Sequence, residues 1–125
     1  MQDRDYFIIL YDYYSELFNE QEKENFESYY FDNLSLAEIG ENEQKSRNAI
    51  HKSIKNVINR LLEYESKLKL YEKNNQIKEL LKNIKEEDIK NKIEDLLWKK
   101  NYRYILKTEN YQKKNKTIKN HHMVT

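Results

Sequence analysis

The sequence contains no cysteine and no proline, and only one glycine among its 125 residues. The lack of cysteine excludes disulfides, thiolate metal ligands and cysteine nucleophiles. Because tight hairpins and sheet turns depend on glycine and proline, a β-rich fold is not expected. The chain also has only three histidines, no glycine-rich phosphate loop and no nucleophile motif. We therefore expect a binding protein and not an enzyme.

Long apolar runs and metal-ligand clusters are missing as well. The apolar run 6–11 is too short to span a membrane, and the acidic residues beside it do not fit a signal peptide. The adjacent His121 and His122 supply too few fixed ligands for a metal ion. We expect a cytoplasmic protein without a membrane span, a metal or a cofactor.

Charge is distributed unevenly along the chain, although the formal net charge is only +1. Residues 1–44 hold two basic and twelve acidic residues, whereas residues 45–125 hold 21 basic and ten acidic ones. The two parts should attract each other, and only the second is expected to approach a polyanion.

The end of the chain is basic, with eight basic residues and one acidic residue in the range Lys99–Lys119. Residues 107–125 lack periodicity, which predicts a disordered tail that either attracts RNA or a membrane surface or only adds solubility. Three aromatic residues, Trp98, Tyr102 and Tyr104, alternate with the basic ones. They either stack on unpaired bases or close a core or an interface.

Apolar positions three and four residues apart predict an all-α fold. The predicted helices span residues 5–18, 20–31, 36–41, 47–72, 77–84 and 89–106. Asn19 with Glu22 and Ser35 with Glu38 have the spacing of capping boxes, and Ser46 should cap the fourth helix. We divide the chain into a helix-turn-helix domain (1–72), C-terminal helices (73–106) and the basic tail (107–125).

The fourth predicted helix carries the most regular apolar pattern, a seam of seven positions spaced four and three apart. The seam consists of Ile50, Ile54, Val57, Leu61, Tyr64, Leu68 and Tyr71. This spacing over about three heptads is typical of a coiled coil. The short preceding helices should cover only its first half. We therefore expect the second half to pack against the C-terminal helices or a second copy, and we favour a homodimer.

A short capped helix, a brief turn and a longer helix form the layout of a helix-turn-helix, whose second helix enters a DNA major groove. Polar and basic side chains that suit phosphate and base-edge contacts lie opposite the seam. They are Ser46, Arg47, Asn48, His51, Lys52, Lys55 and Asn59. The alternative is a merely solvent-exposed helix face in a chain rich in lysine and asparagine.

Four segments resemble the YlxM-type helix-turn-helix proteins of Gram-positive bacteria and mollicutes: Phe18–Glu22, Tyr29–Ile39, Ser46–Ile50 and Leu62–Glu72. The resemblance covers about residues 8–84. It implies an all-α fold similar to region 4 of sigma factors and unlike a winged helix. It also implies an accessory or regulatory role in the signal recognition particle pathway, with DNA, the particle's RNA or its other components as partners.

The sequence departs from this family around the turn. The family normally has apolar residues at the positions of Glu43 and Lys45, and alanine at the position of Gly40. The two lost anchors predict looser docking of the two helices, and the glycine costs the short helix about 1 kcal/mol of stability. This departure favours a second hypothesis, a non-catalytic protein-interaction module that keeps a degenerate helix-turn-helix as its scaffold.

Overall fold

The structure, a computed structural model, describes residues 2–97, and that part of the chain is entirely helical, without a strand. The helices are α1 (Gln2–Tyr14), α2 (Glu20–Tyr30), α3 (Leu36–Glu43), α4 (Arg47–Leu68), α5 (Leu70–Leu81) and α6 (87–97), with a 3₁₀ turn at Ser15–Leu17. The predicted all-α class is confirmed. The predicted end of the sixth helix and the predicted disordered tail lie outside the described residues.

Side-chain caps fix where α2 and α3 begin. The carboxamide of Asn19 accepts from the Glu22 backbone N–H at 2.8 Å, and the Glu22 carboxylate accepts from the Asn19 N–H at 3.0 Å. Ser35 and Glu38 form the same reciprocal pair, both at 3.1 Å. Both predicted capping boxes are therefore confirmed, although α3 runs two residues further than predicted.

The core lies where α1 and α2 meet α4. Aromatic residues of the first two helices pack on the aliphatic seam of α4, and the rings of Tyr11 and Phe26 stack with centroids 4.2 Å apart. The buried seam residues are Ile50, Ile54, Val57 and Leu61. The first half of the seam is therefore buried within a single chain.

The fourth helix ends earlier than its apolar pattern predicts. Lys69 adopts the left-handed conformation, with φ at 55°, and the chain turns into α5 at Leu70. The prediction of one continuous seam to Tyr71 is therefore wrong. Tyr71 belongs to α5 and contacts the rings of Tyr6 and Tyr13, with centroids 5.9 and 6.1 Å away.

A buried carboxylate holds this corner. Glu65 is only 8% exposed and accepts hydrogen bonds from the Tyr14 hydroxyl at 2.6 Å and from the backbone N–H groups of Tyr71 and Glu72, each at 3.1 Å. Those N–H groups belong to the first turn of α5, where a helix lacks internal partners. The Tyr14 hydroxyl in turn accepts from the Leu70 N–H at 3.1 Å. α1 therefore supports the start of α5 from within the chain.

Candidate nucleic-acid interface

The turn between α3 and α4 packs directly against α3. The Lys45 N–H donates to the Gly40 carbonyl at 2.8 Å, and a Cβ added at Gly40 would lie 2.6 Å from the Lys45 carbonyl oxygen. Only a residue without a side chain lets the turn approach so closely. Gly40 therefore permits tight docking of the two helices, although glycine lowers the stability of α3 itself.

Glu43 belongs to a polar network, although the family pattern led us to expect an apolar residue at this position. The Glu43 carboxylate, 13% exposed, accepts from the Gln21 amide at 2.6 Å and from the amide nitrogen of the buried Asn25. The Asn25 amide oxygen accepts from the Ser53 hydroxyl at 3.0 Å. Burial raises the pKa of Glu43, and the ammonium of Lys45, 3.9 Å away, opposes that rise. The network joins α2, α3 and α4. Its hydrogen bonds therefore replace the apolar contact that was expected at Glu43.

The start of α4 is exposed and ordered by its cap. The Ser46 hydroxyl accepts from the Ala49 N–H at 3.0 Å, as predicted for a cap. No acidic residue stands in the first turn, and Arg47 opens the helix. A helix N-terminus presents unpaired N–H groups and a positive dipole end, which favour an approaching anion.

All seven predicted contact residues are solvent-exposed, and they are Ser46, Arg47, Asn48, His51, Lys52, Lys55 and Asn59. Within residues 2–97, Arg47, Lys52 and Lys55 form no ion pair, so their charges are available to an external anion. The aliphatic seam occupies the opposite, buried side of the helix. The structure therefore brings the predicted set onto one exposed face.

Arg60 shows that the basic residues of α4 have different environments. Its guanidinium lies 2.6 Å from the Glu22 carboxylate and 4.5 Å from the centre of the Phe18 ring. This contact clamps α4 to the start of α2, whereas the cations nearer the N-terminus of α4 point to solvent. Arg60 is thus a structural cation and does not extend the exposed basic face.

The predicted packing positions separate into two groups. Ile54, Val57 and Leu61 are buried in the core and Tyr64 packs partly against it. Leu68 is 47% exposed at the end of α4, and Tyr71 is on α5.

The described part of the chain offers little for other site types. No group of three or more histidine, cysteine, aspartate or glutamate residues is placed to hold a metal ion within residues 2–97. Over the same range no helix has the length and apolar character needed to cross a membrane.

Comparison with known proteins is consistent with this geometry. Residues 1–101 match the model of the UPF0122 family, described as "Putative helix-turn-helix protein, YlxM / p13 like". A UPF0122 protein of Clostridium novyi is 45% identical over 101 residues, which cover 81% of this chain and 84% of that protein. One from Clostridium botulinum is 44% identical over 87 residues, covering 70% and 80%.

A UPF0122 protein of Malacoplasma penetrans is 42% identical over 81 residues, which cover 65% of this chain and 76% of the relative. No solved structure matches the chain. The family match over most of the chain, together with the capped α3, the tight turn and α4, shows that the chain belongs to the YlxM / p13-like helix-turn-helix family.

Proposed function

We propose that this protein is a nucleic-acid-binding regulatory or accessory factor, not an enzyme, and that α4 is its recognition helix. The observation that carries the proposal is the exposed face of α4. It follows the turn of a helix-turn-helix, and three of its cations have no ion-pair partner within residues 2–97. Recognition helices place residues of their N-terminal turns at base edges. Arg47, Asn48 and His51 are suited to that role, and Lys52 and Lys55 to phosphates.

The charge of the remaining surface supports one direction of approach. Residues 2–97 as a whole carry 21 acidic and 15 basic residues, and α2 is rich in glutamate. A polyanion is repelled from that acidic surface and attracted to the start of α4. Binding through this face should therefore be orientated even where it is not sequence-specific.

The family resemblance supports a place for this activity in the cytoplasm, in the signal recognition particle pathway. There the bound nucleic acid would be DNA or the particle's RNA, and the particle's proteins would be further partners. A titration of RNA and of DNA at two salt concentrations separates these targets, because both affinity and its salt dependence report the phosphate contacts.

The decisive test replaces Arg47, Lys52 and Lys55 together with alanine. Each lost phosphate contact should lower the slope of log affinity against log salt by about 0.7–0.9, so loss of the two lysine contacts should lower it by about 1.4–1.8, and loss of Arg47 should weaken binding further. A matched control removes three exposed lysines elsewhere, Lys73, Lys85 and Lys92. If the two triple variants bind with the same affinity and slope, α4 is not the binding face.

A second candidate function, a protein-interaction module, is favoured by exposed apolar side chains at the C-terminal end. Leu80 of α5 and Leu96 of α6 are 67% and 69% exposed, and Ile89 is 48% exposed. The two helices are joined by the short link 82–86, and residues of both, among them Leu81 and Leu97, line one cavity. This pair offers a better dimer surface than the buried seam of α4.

We propose the homodimer through this surface, with Leu80 and Leu96 at its centre. Leu80→Glu should convert a dimer to a monomer in light scattering, whereas Leu17→Glu, at a side chain 51% exposed on the 3₁₀ turn, should not. The monomer mass for the unmodified protein at micromolar concentrations would contradict the dimer.

A further inference from the structure

A groove lies between the end of α4, one side of α5 and the start of α1. It has a volume of about 570 Å³. Its apolar wall is formed by Tyr6, Leu62 and Tyr71, and its acidic side by Glu65, Glu72 and Glu79. This groove is on a different part of the molecule from the basic face at the start of α4, and the proposed function does not use it.

The groove is negatively charged as well as apolar. Lys69 is the one cation among its lining residues within the described part of the chain. The pKa of the Tyr6 hydroxyl is raised, first by burial and then by the negative charges of Glu65 and Glu72. Such a groove suits an aromatic or leucine side chain that has lysine or arginine beside it.

The chain itself contains a segment of that chemistry. Residues 98–125 hold eight basic residues and one acidic residue, in contrast with the acidic excess of residues 2–97. The segment 98–107 reads Trp-Lys-Lys-Asn-Tyr-Arg-Tyr-Ile-Leu-Lys. It combines aromatic and aliphatic anchors with four of those cations.

The described chain ends close enough for this segment to reach the groove. Leu97 and Lys78 line a common cavity of about 290 Å³, and Lys78 is the neighbour of Glu79 in the groove wall. Passing around a helix about 10–12 Å wide needs about five extended residues at roughly 3.3 Å each. The segment 98–107 is long enough to make that crossing and still place an aromatic side chain in the groove.

We propose that residues 98–107 dock in the groove of their own chain, with an aromatic ring against Leu62 and Tyr71 and basic side chains against Glu72 and Glu79. The docked segment covers the apolar wall and neutralises its carboxylates. Its lysines and arginine are then engaged, so an added polyanion competes with the groove for them.

The absence of cysteine allows a direct test of contact in the full-length protein. Ser66 lines the groove and is exposed, so Ser66→Cys is combined in separate variants with cysteine at position 98, 102 or 104. A disulfide needs Cα atoms within about 7 Å of each other. If the segment lies in the groove, at least one pair should meet that condition and form an intramolecular disulfide on mild oxidation. The matched control places the first cysteine at Asn48, on the distant start of α4, where little bridging is expected.

The products of oxidation separate the possible occupants. A bridged monomer supports docking within the chain, whereas a covalent dimer formed specifically by the groove pairs would assign the groove to a second copy and overturn the proposal. Bridging no faster in any groove pair than in the Asn48 pairs would also overturn it.

Trp98 gives a second measurement that needs no cysteine, since it is the only tryptophan in the chain. The double change Glu72→Lys with Glu79→Lys should release the segment and raise acrylamide quenching of Trp98 at least about twofold. The control makes the same change of charge on an exposed surface of α2 and α3, with Glu24→Lys and Glu41→Lys. Equal quenching in the two double variants would show diffuse attraction and contradict a specific docking site.

Discussion

Replacing Glu65 with alanine should unfold the corner between α4 and α5 and destabilise the whole protein. The carboxylate is the acceptor for the Tyr14 hydroxyl at 2.6 Å and for the Tyr71 and Glu72 N–H groups at 3.1 Å. Its removal leaves a buried hydroxyl and the first turn of α5 without their acceptor. The contacts of Tyr71 with α1 depend on that turn.

The magnitude follows from the number and kind of these hydrogen bonds. A hydrogen bond to a charged group contributes about 1.5–3 kcal/mol, but the two N–H groups can recover water when the corner opens. Counting one full bond and two partial ones, we expect Glu65→Ala to lower the free energy of unfolding by about 3 kcal/mol. For a domain of this size that corresponds to a fall in Tm of roughly 10–20 °C.

Thermal unfolding followed by circular dichroism checks this expectation. Glu63→Ala is the matched control, because Glu63 is an exposed glutamate on the same helix whose salt bridge to Lys67, at 2.8 Å, is also exposed. That change should leave the Tm nearly unchanged, because solvent screens an exposed salt bridge. Glu65→Gln, which keeps one acceptor oxygen, should fall between the two. If Glu65→Ala and Glu63→Ala melt within about 2 °C of each other, the reasoning about the corner is refuted.

Two further predictions concern the helix-turn-helix. Gly40→Ala gains about 1 kcal/mol of helix propensity, but its Cβ would lie 2.6 Å from the Lys45 carbonyl oxygen, and the resulting backbone shift should cost about 1–3 kcal/mol. We expect a net fall in Tm and weaker nucleic-acid binding, and a rise in Tm would contradict the tight approach. Burial raises the pKa of Glu43 above 4.5, so the folded protein binds the proton of this carboxyl more tightly than the unfolded chain does. The stability gained from that proton is complete below pH 4.5 and is lost as the pH rises through the raised pKa. Glu43→Gln should therefore gain stability relative to the wild type near neutral pH, and the gain should shrink in thermal melts at about pH 4; a difference independent of pH would show that burial of the charge is not the cause.

The starts of α2, α3 and α4 could be predicted because their determinants are local. The capping pairs Asn19–Glu22 and Ser35–Glu38 are three residues apart, so the sequence shows them directly. The exposed face of α4 was predictable for a similar reason, since a helix that buries the seam must turn the opposite side to solvent.

The polar network beneath the turn could not be predicted in the same way. Glu43 binds Gln21, which is 22 residues away, and Asn25 binds Ser53 across 28 residues. From the sequence alone, the carboxylate of Glu43 in place of an apolar residue suggests weaker packing. The hydrogen-bond donors that it finds on α2 are visible only in the folded structure. Its satisfaction depends on packing and not on periodicity.

The sequence by itself determined that this protein is all-helical, that α4 is amphipathic and where α2, α3 and α4 begin, because hydrophobic spacing and side-chain caps act within one or two turns. Only the tertiary structure decided where α4 ends. The heptad spacing continues to Tyr71 and does not mark the turn at Lys69. The turn is held by the Glu65 carboxylate, which accepts from the hydroxyl of Tyr14, 51 residues earlier, and from N–H groups in the first turn of α5. Folding brings those partners together, and a buried charge requires them.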